Sequence, residues 1–275
     1  MGVLSFDLQA HRGGAGLAPE NTLAAFDNAL TVGVSTLECD VHITADGIPV
    51  LSHERTYAGQ VVPLLSYAEL AELQASGLDP IPTLSDLLGL VAQREADEVG
   101  LNIETKFDVV HAAESAPRER FVETVLGVLE GQAALVRSSI QSFDWAVLRL
   151  VRAAEPRLAL NALANTDKLE MNQAGASPWL AGLDIDDFAD SVATAVSALG
   201  FDAISPSHTI LTGAMVAEAH EAGLRVLPYT VDDEATMHHL VELGVDGLIT
   251  NRPDLLREVL ASMDKPLPRP YPEHG

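Results

Sequence analysis

Thr36-Leu37-Glu38-Cys39-Asp40-Val41-His42-Ile43 alternates strictly, and the residues after it, Thr44-Ala45-Asp46-Gly47 and then Ile48-Pro49-Val50-Leu51-Ser52-His53-Glu54, turn it back on itself. Leu37, Cys39 and Val41 share one face of this strand; Glu38, Asp40 and His42 share the other. Carboxylates two apart on an inward face are costly unless a cation compensates them. Thr44 to Gly47 is a turn signal between two strand-like runs. A parallel return would need a crossover of about a dozen or more residues, which the four here cannot supply. Ile48 to His53 is therefore expected to run antiparallel beside Thr36 to Ile43 and bring His53 back toward Glu38.

On either side of this hairpin the chain alternates short apolar strands with amphipathic helices. Further strand patterns lie at Leu8 to Arg12, Gly100 to Lys106, Val136 to Gln141, Leu158 to Ala162, Asp202 to Ser205, Leu224 to Val231 and Asp246 to Thr250. Helical patterns include Thr22 to Val32, Leu84 to Gln93, Phe121 to Leu129 and Glu234 to Leu243, with Asn21 as the expected cap of the first. Repeated βα units without a composition break predict an α/β (β/α)8 TIM barrel, with a doubly wound sheet as the second choice. The ninth strand is the extra antiparallel strand of the hairpin. A short insertion is expected at about residues 55–82, one barrel domain over residues 1–264, and a proline-rich tail over residues 265–275.

The chain has 275 residues, 47% of them hydrophobic, which is ample for one large core. Its formal charge of −24 argues against nucleic acid or an anionic membrane surface as a partner, so any phosphate chemistry needs local cations. The single cysteine, Cys39, excludes an intramolecular disulfide and reads as a small core residue. With no signal-peptide pattern and no apolar run of membrane-spanning length, the expectation is a cytoplasmic protein without stable membrane insertion. Nothing in the sequence sets the oligomeric state.

A second strand turns polar groups inward. In Gly100-Leu101-Asn102-Ile103-Glu104-Thr105-Lys106, Leu101 and Ile103 share one face, and Asn102, Glu104 and Lys106 the other. A purely structural barrel strand would place branched aliphatics there. Glu38, Asp40 and Glu104 together form an oxygen-only ligand set, suited to one hard divalent cation, Mg2+ or Ca2+. His42 shares their face and is either a nitrogen ligand or a packed histidine. His238 and His239 follow a polar helical pattern and are expected to face solvent.

These residues resemble the glycerophosphodiester phosphodiesterase family. The resemblance runs in order through His11-Arg12-Gly13, Pro19-Glu20-Asn21-Thr22, Ala25-Phe26, Glu38-Cys39-Asp40-Val41, Thr44 with Asp46-Gly47, and His53. It continues through Asn102-Ile103-Glu104-Thr105-Lys106, Ser142-Phe143-Asp144, Tyr229-Thr230-Val231-Asp232 and Gly244 to Pro253. It implies a distorted (β/α)8 barrel that hydrolyses a small-molecule glycerophosphodiester to sn-glycerol 3-phosphate and an alcohol. By position, it makes His11 and His53 the general acid and base and gives the metal to Glu38, Asp40 and Glu104. Arg12 and Lys106 would hold the phosphate, with Ser142 and Tyr229 as further substrate contacts. Plainer roles exist for several of these: Arg12 could pair with Glu20, Lys106 could neutralise Glu104, and Ser142 and Tyr229 could be barrel packing.

The chain departs from the family pattern at Glu54 (usually Asp), Tyr229 (usually Trp), Asp232 (usually Asn) and Asn251 (usually Asp). None of these removes a proposed catalytic or metal group. A phospholipase D-like or cyclising lyase acting on lysophospholipids would call for a membrane-seeking loop or disulfides, and neither is visible. A non-catalytic phosphodiester-binding barrel would have lost a histidine or a metal carboxylate, and all five are present.

Overall fold

The strands of the computed structural model are, in chain order, β1 (Asp7–Ala10), β2 (Thr36–Ile43), β3 (Pro49–Leu51), β4 (Thr56–Tyr57), β5 (Gln60–Val61), β6 (Gly100–Thr105), β7 (Ser138–Ser142), β8 (Ala159–Ala164), β9 (Ala203–Pro206), β10 (Arg225–Val226) and β11 (Gly247–Thr250). The structure describes residues 6–74, 80–171, 173 and 175–272. Eight strands form one parallel sheet in the order β10-β9-β8-β7-β6-β2-β1-β11. The two ends of that sheet meet, with Asp246 N donating to Val226 O and Ile249 N to Pro228 O, each at 3.0 Å. The result is a distorted, nearly closed barrel, most irregular at that seam. The expected strand Leu224 to Val231 forms a regular ladder only at Arg225–Val226; Pro228, with no N–H to give, interrupts it, and Tyr229 then makes an isolated parallel bridge to Ser207.

The hairpin forms as expected: β3 lies antiparallel to β2, with Val41 opposite Leu51 and His42 opposite Val50. The insertion after it is a small folded piece. It holds the β4–β5 pair and a helix at Tyr67–Gln74, sealed by Val50, Val62, Leu70 and Ile81. Ala45 N donates to Leu65 O and Leu51 N to Pro82 O, both at 2.8 Å, which ties the insertion to the hairpin.

The outward faces of the strands make the main core. Leu37, Cys39, Val41, Leu101, Ile103, Ile140 and Leu160 are buried against the surrounding helices. The helices Leu84–Gln93 and Glu234–Leu243 occupy their expected spans, and the expected Phe121 to Leu129 helix extends to Arg118–Gly131. Thr83 and Asp86 close a reciprocal capping box at the start of Leu84–Gln93, which satisfies two N–H groups left over at that helix end.

The inside of the barrel is polar. Asn102 Nδ2 donates to Gln9 Oε1 at 2.8 Å and Gln141 Oε1 at 2.9 Å, while Asn102 Oδ1 accepts from Asn161 at 3.1 Å and Ser139 at 3.0 Å. This buried amide network forms a rigid floor beneath the mouth. The proline-rich end packs back on the body as far as Pro272: Tyr271 is buried, and its N–H donates to Leu30 O at 2.8 Å. No helix among the described residues is long and apolar enough to cross a membrane.

Candidate active site

The site assembles at the C-terminal ends of the strands, where barrel enzymes carry their chemistry. Beyond β1 the chain makes a tight turn, His11-Arg12-Gly13, with Arg12 at φ 53° and Gly13 at φ 82°. A Cβ on Gly13 would lie 2.8 Å from Ala25 Cβ, so only glycine allows the turn to press against the following helix. The turn aims Arg12 N–H at Glu38 Oε2, 2.8 Å away. The Arg12 guanidinium lies 3.0 Å from Asp40 Oδ2 and 2.7 Å from Glu20 Oε2, so it makes the expected Glu20 pair and also faces the site.

Asn21 does not cap the first helix. Thr22 does, accepting from Ala25 N at 3.2 Å. Asn21 instead donates to Asp40 Oδ2 at 2.9 Å and accepts from Asp40 N at 3.2 Å, with its own backbone at φ 55°. A short amide in the left-handed region can serve its neighbour in this way.

Glu38, Asp40 and Glu104 each offer an oxygen, and the three lie within 4.8 Å of one another. All three residues are buried. Burial, and then the charge of Asp40, pushes Glu38 up to about 8. Burial also pushes Glu104 up to about 7, against the pull of Lys106. Asp40 goes the other way: despite its burial, Lys106 and Arg12 hold it below the usual carboxylate range. Lys106 Nζ sits 3.0 Å from Asp40 Oδ1 and 2.7 Å from Glu104 Oε1. Three carboxylates converge here, burial disfavours their charge, and the donors are all oxygen. The cluster therefore suits a hard divalent cation.

His42 is not part of that cluster. It lies further up β2 opposite Val50, buried, and burial followed by Lys106 lowers it to about 4. The two other histidines border the cluster. His11 Nδ1 is 2.7 Å from Asn251 Oδ1, and Asn251 Nδ2 donates to Asp232 Oδ2 at 2.7 Å. Because the amide nitrogen is committed to Asp232, its oxygen accepts from His11. The Nδ1–H tautomer follows, with Nε2 free and 4.0 Å from Glu38 Oε2. Burial, then Arg12, lowers the His11 pKa.

His53 Nδ1 is 2.8 Å from Glu54 Oε1, which likewise leaves Nε2 free. Burial, then Lys106, lowers its pKa. His53 lines a cavity together with Glu104 and Lys106. The β2–β3 ladder ends at Leu51, and Ser52 N then bonds Asp40 O at 3.1 Å, so the chain leaves the sheet at the level of Asp40.

From the strand β7 it is Gln141 that reaches the carboxylates, while Ser142 packs between strands. Ser142 faces outward, buried, with its hydroxyl accepting from Thr105 Oγ1 at 2.7 Å and Asp144 N at 3.0 Å. Its neighbour Gln141 points inward and donates to Glu38 Oε1 at 2.8 Å. Tyr229 reaches the site: it borders a cavity of about 240 Å³ together with His11, Arg12, His53 and Lys106, and its hydroxyl donates to Ala164 O at 3.1 Å. His238 stays outside, 3.9 Å from Glu234 on its own helix. Sequence reasoning missed Gln141 and the bonds of Asn21 and Asn251. The family motifs already contained both asparagines, and nothing in the sequence singled out Gln141.

A barrel whose mouth holds three carboxylates, two cations and two imidazoles with free nitrogens has the equipment of a metal-assisted phosphoester hydrolase. The model of the glycerophosphoryl diester phosphodiesterase family matches residues 11–255. A relative from Mycobacterium tuberculosis (strain ATCC 25618 / H37Rv) that carries the family name is 31% identical over 262 residues, 91% of this chain and 89% of that one. The glycerophosphodiester phosphodiesterase of Caldanaerobacter subterraneus subsp. tengcongensis is 27% identical, with 90% and 94% covered. A solved structure from Silicibacter pomeroyi DSS-3 bearing the family name superposes with a TM-score of 0.80 at 29% identity, over 94% of both chains. The chain belongs to the glycerophosphoryl diester phosphodiesterase family, and it is a phosphoric diester hydrolase.

Proposed function

We propose that this enzyme hydrolyses glycerophosphodiesters to sn-glycerol 3-phosphate and an alcohol, with His11 and His53 as the acid–base pair and Mg2+ or Ca2+ held by Glu38, Asp40 and Glu104. The observation that carries the reading is the paired arrangement of the imidazoles. Each has Nδ1 tied to an acceptor and Nε2 free, and both line one cavity with Arg12, Glu104 and Lys106. A phosphodiesterase structure from Oleispira antarctica, which shares this fold at 22% identity, is a complex with the product sn-glycerol-3-phosphate.

When bound, the divalent ion supplies charge stabilisation to the phosphate oxygens. Arg12 and Lys106 hold the remaining oxygens of the phosphate and orient it. His11 is backed by a neutral amide and His53 by a carboxylate. A carboxylate favours the protonated ring, which assigns His53 as the acid and His11 as the base. His11 Nε2 takes the proton of the glycerol 2-hydroxyl as that oxygen attacks phosphorus. His53 Nε2 gives a proton to the departing alkoxide as its P–O bond breaks. Water then opens the cyclic phosphate with the two rings in exchanged roles, restoring both.

The test is release of glycerol phosphate from glycerophosphoglycerol, with and without chelator. Release that stops on chelation and returns with Mg2+ or Ca2+ is expected. No release at saturating metal would overturn the reading, and release indifferent to chelator would remove the metal from it. A substrate lacking the 2-hydroxyl should fail to react; its full turnover would instead make water the direct nucleophile.

A further inference from the structure

Two chambers meet at Glu104, and their walls differ. The smaller, about 240 Å³, contains His11, Arg12 and Tyr229. The larger, about 310 Å³, lies on the far side of His53 and is walled by Arg55, Phe107, Phe143, Lys168 and Trp179. His53, Glu104, Lys106 and Phe143 border both. A phosphodiester held at the carboxylates has two ester arms, so one arm enters each chamber. With His53 protonating the departing oxygen, the leaving alcohol occupies the larger one, and the inference rests on that reading.

Aromatic walls would ordinarily suit a quaternary ammonium, which needs open ring faces. Here the protein's own cations lie over two of the three rings. Lys168 Nζ lies 3.6 Å from the centroid of the Trp179 ring, and the Arg118 guanidinium 4.3 Å from that of Phe107. Phe143 stands edge-on to Tyr229, with centroids 5.9 Å apart.

The acids of the wall are also engaged. Glu104 is held by Lys106, and Asp108 accepts from His111 Nδ1 at 2.7 Å and from Val110 N at 2.8 Å. Arg55 is paired with Glu114. Lys168 differs from Arg55, since among the described residues no carboxylate lies within ion-pair distance of its ammonium. Its backbone is nevertheless fixed: its N–H donates to Asn165 Oδ1 at 3.0 Å, and its carbonyl accepts from Ser177 Oγ at 2.9 Å. In a chain of net charge −24, a half-buried ammonium without an acid partner is a local reversal of the field.

We propose that the larger chamber selects leaving alcohols that carry an anionic group, a carboxylate or a phosphate, and that Lys168 is the residue that determines this specificity. Head groups of the choline type meet occupied ring faces and a like charge.

The test compares kcat/KM for glycerol 3-phosphate esters of 3-hydroxypropionate (anionic), glycerol (neutral) and choline (cationic), with Mg2+ or Ca2+ present. The anionic ester is expected to exceed the choline ester by about tenfold, the effect of roughly one charge-assisted contact, with the neutral ester between. Lys168→Glu should invert that order, and Lys168→Gln should narrow it. Because each result is a ratio of substrates in one preparation, a loss of folded enzyme cannot mimic it. A choline ester turned over as well as the anionic one, or a ratio unmoved by Lys168→Glu, would overturn the selectivity alone. No turnover of any member would overturn the phosphodiesterase reading and this inference with it.

Discussion

The bond from His11 to Asn251 spans almost the whole chain, and Asn251 is oriented in turn by Asp232. Asp232 accepts from Asn251 twice, from the backbone N–H at 2.8 Å and the side chain at 2.7 Å. The two departures from the family pattern at these positions are therefore one compensated exchange, an acid and an amide that have traded places in a single contact. Asn251→Asp should set two carboxylates against each other and lower both melting temperature and kcat. Adding Asp232→Asn should restore most of the loss, a coupling of about 1 kcal/mol or more in a double-mutant cycle. Additive losses would show that the pair does not act through its mutual bond. His53→Asn should lower kcat about a hundredfold or more while metal binding, followed by calorimetry, is retained.

The strained turn after β1 shows how an element sets the site. Gly13→Ala places a methyl against Ala25 in a left-handed backbone position. It should cost about 1–3 kcal/mol by chemical denaturation. Because the turn also aims Arg12 N–H at Glu38, metal affinity should fall with it. Unchanged affinity in the folded variant would separate the turn from the metal site. Strand phase was legible where several apolar residues fix it: Leu37, Cys39 and Val41 leave Glu38 and Asp40 no choice of face. The strand β7 reads Ser138-Ser139-Ile140-Gln141-Ser142, with one apolar residue to set the phase. Ser142 came forward through the family motif alone, and nothing in that strand pointed to Gln141. The hairpin and its turn were legible because four residues cannot make a parallel crossover. The folded insertion was not, since its small cluster joins Val50 of the hairpin to Val62, Leu70 and Ile81, which are spread along it.

For the whole molecule, the concentration of buried acid at the mouth couples stability to metal and pH. Glu38 and Glu104 are raised to about 8 and about 7, well above the ordinary glutamate range, so the stability they confer when protonated is lost as pH rises through those values. His11, His53 and His42 are lowered from 6.5, and their contribution is complete above 6.5 and lost only toward acid. The clean window therefore lies above 6.5. Between pH 6.5 and 8.5 the metal-free protein should lose melting temperature, and Mg2+ or Ca2+ should restore it, more so at the alkaline end. A metal-free melting temperature that rises over this range would contradict the assigned shifts. The proline-rich end is part of the same body. Tyr271→Ala removes a buried ring that joins the main core cluster and should cost about 3 kcal/mol, read by thermal unfolding.

The sequence by itself determined the barrel, the hairpin and the three carboxylates, because alternation and turn length are local properties that a strand imposes on its own residues. It also placed His11 and His53 beside those carboxylates through motif order. Only the tertiary structure decided which partners complete them: Asn21 on Asp40, Gln141 on Glu38, Asn251 on His11, and Lys168 against Trp179. Asn21 and Gln141 are buried, and what a buried polar atom bonds to depends on which distant strands the barrel brings together. No local pattern in the chain records that.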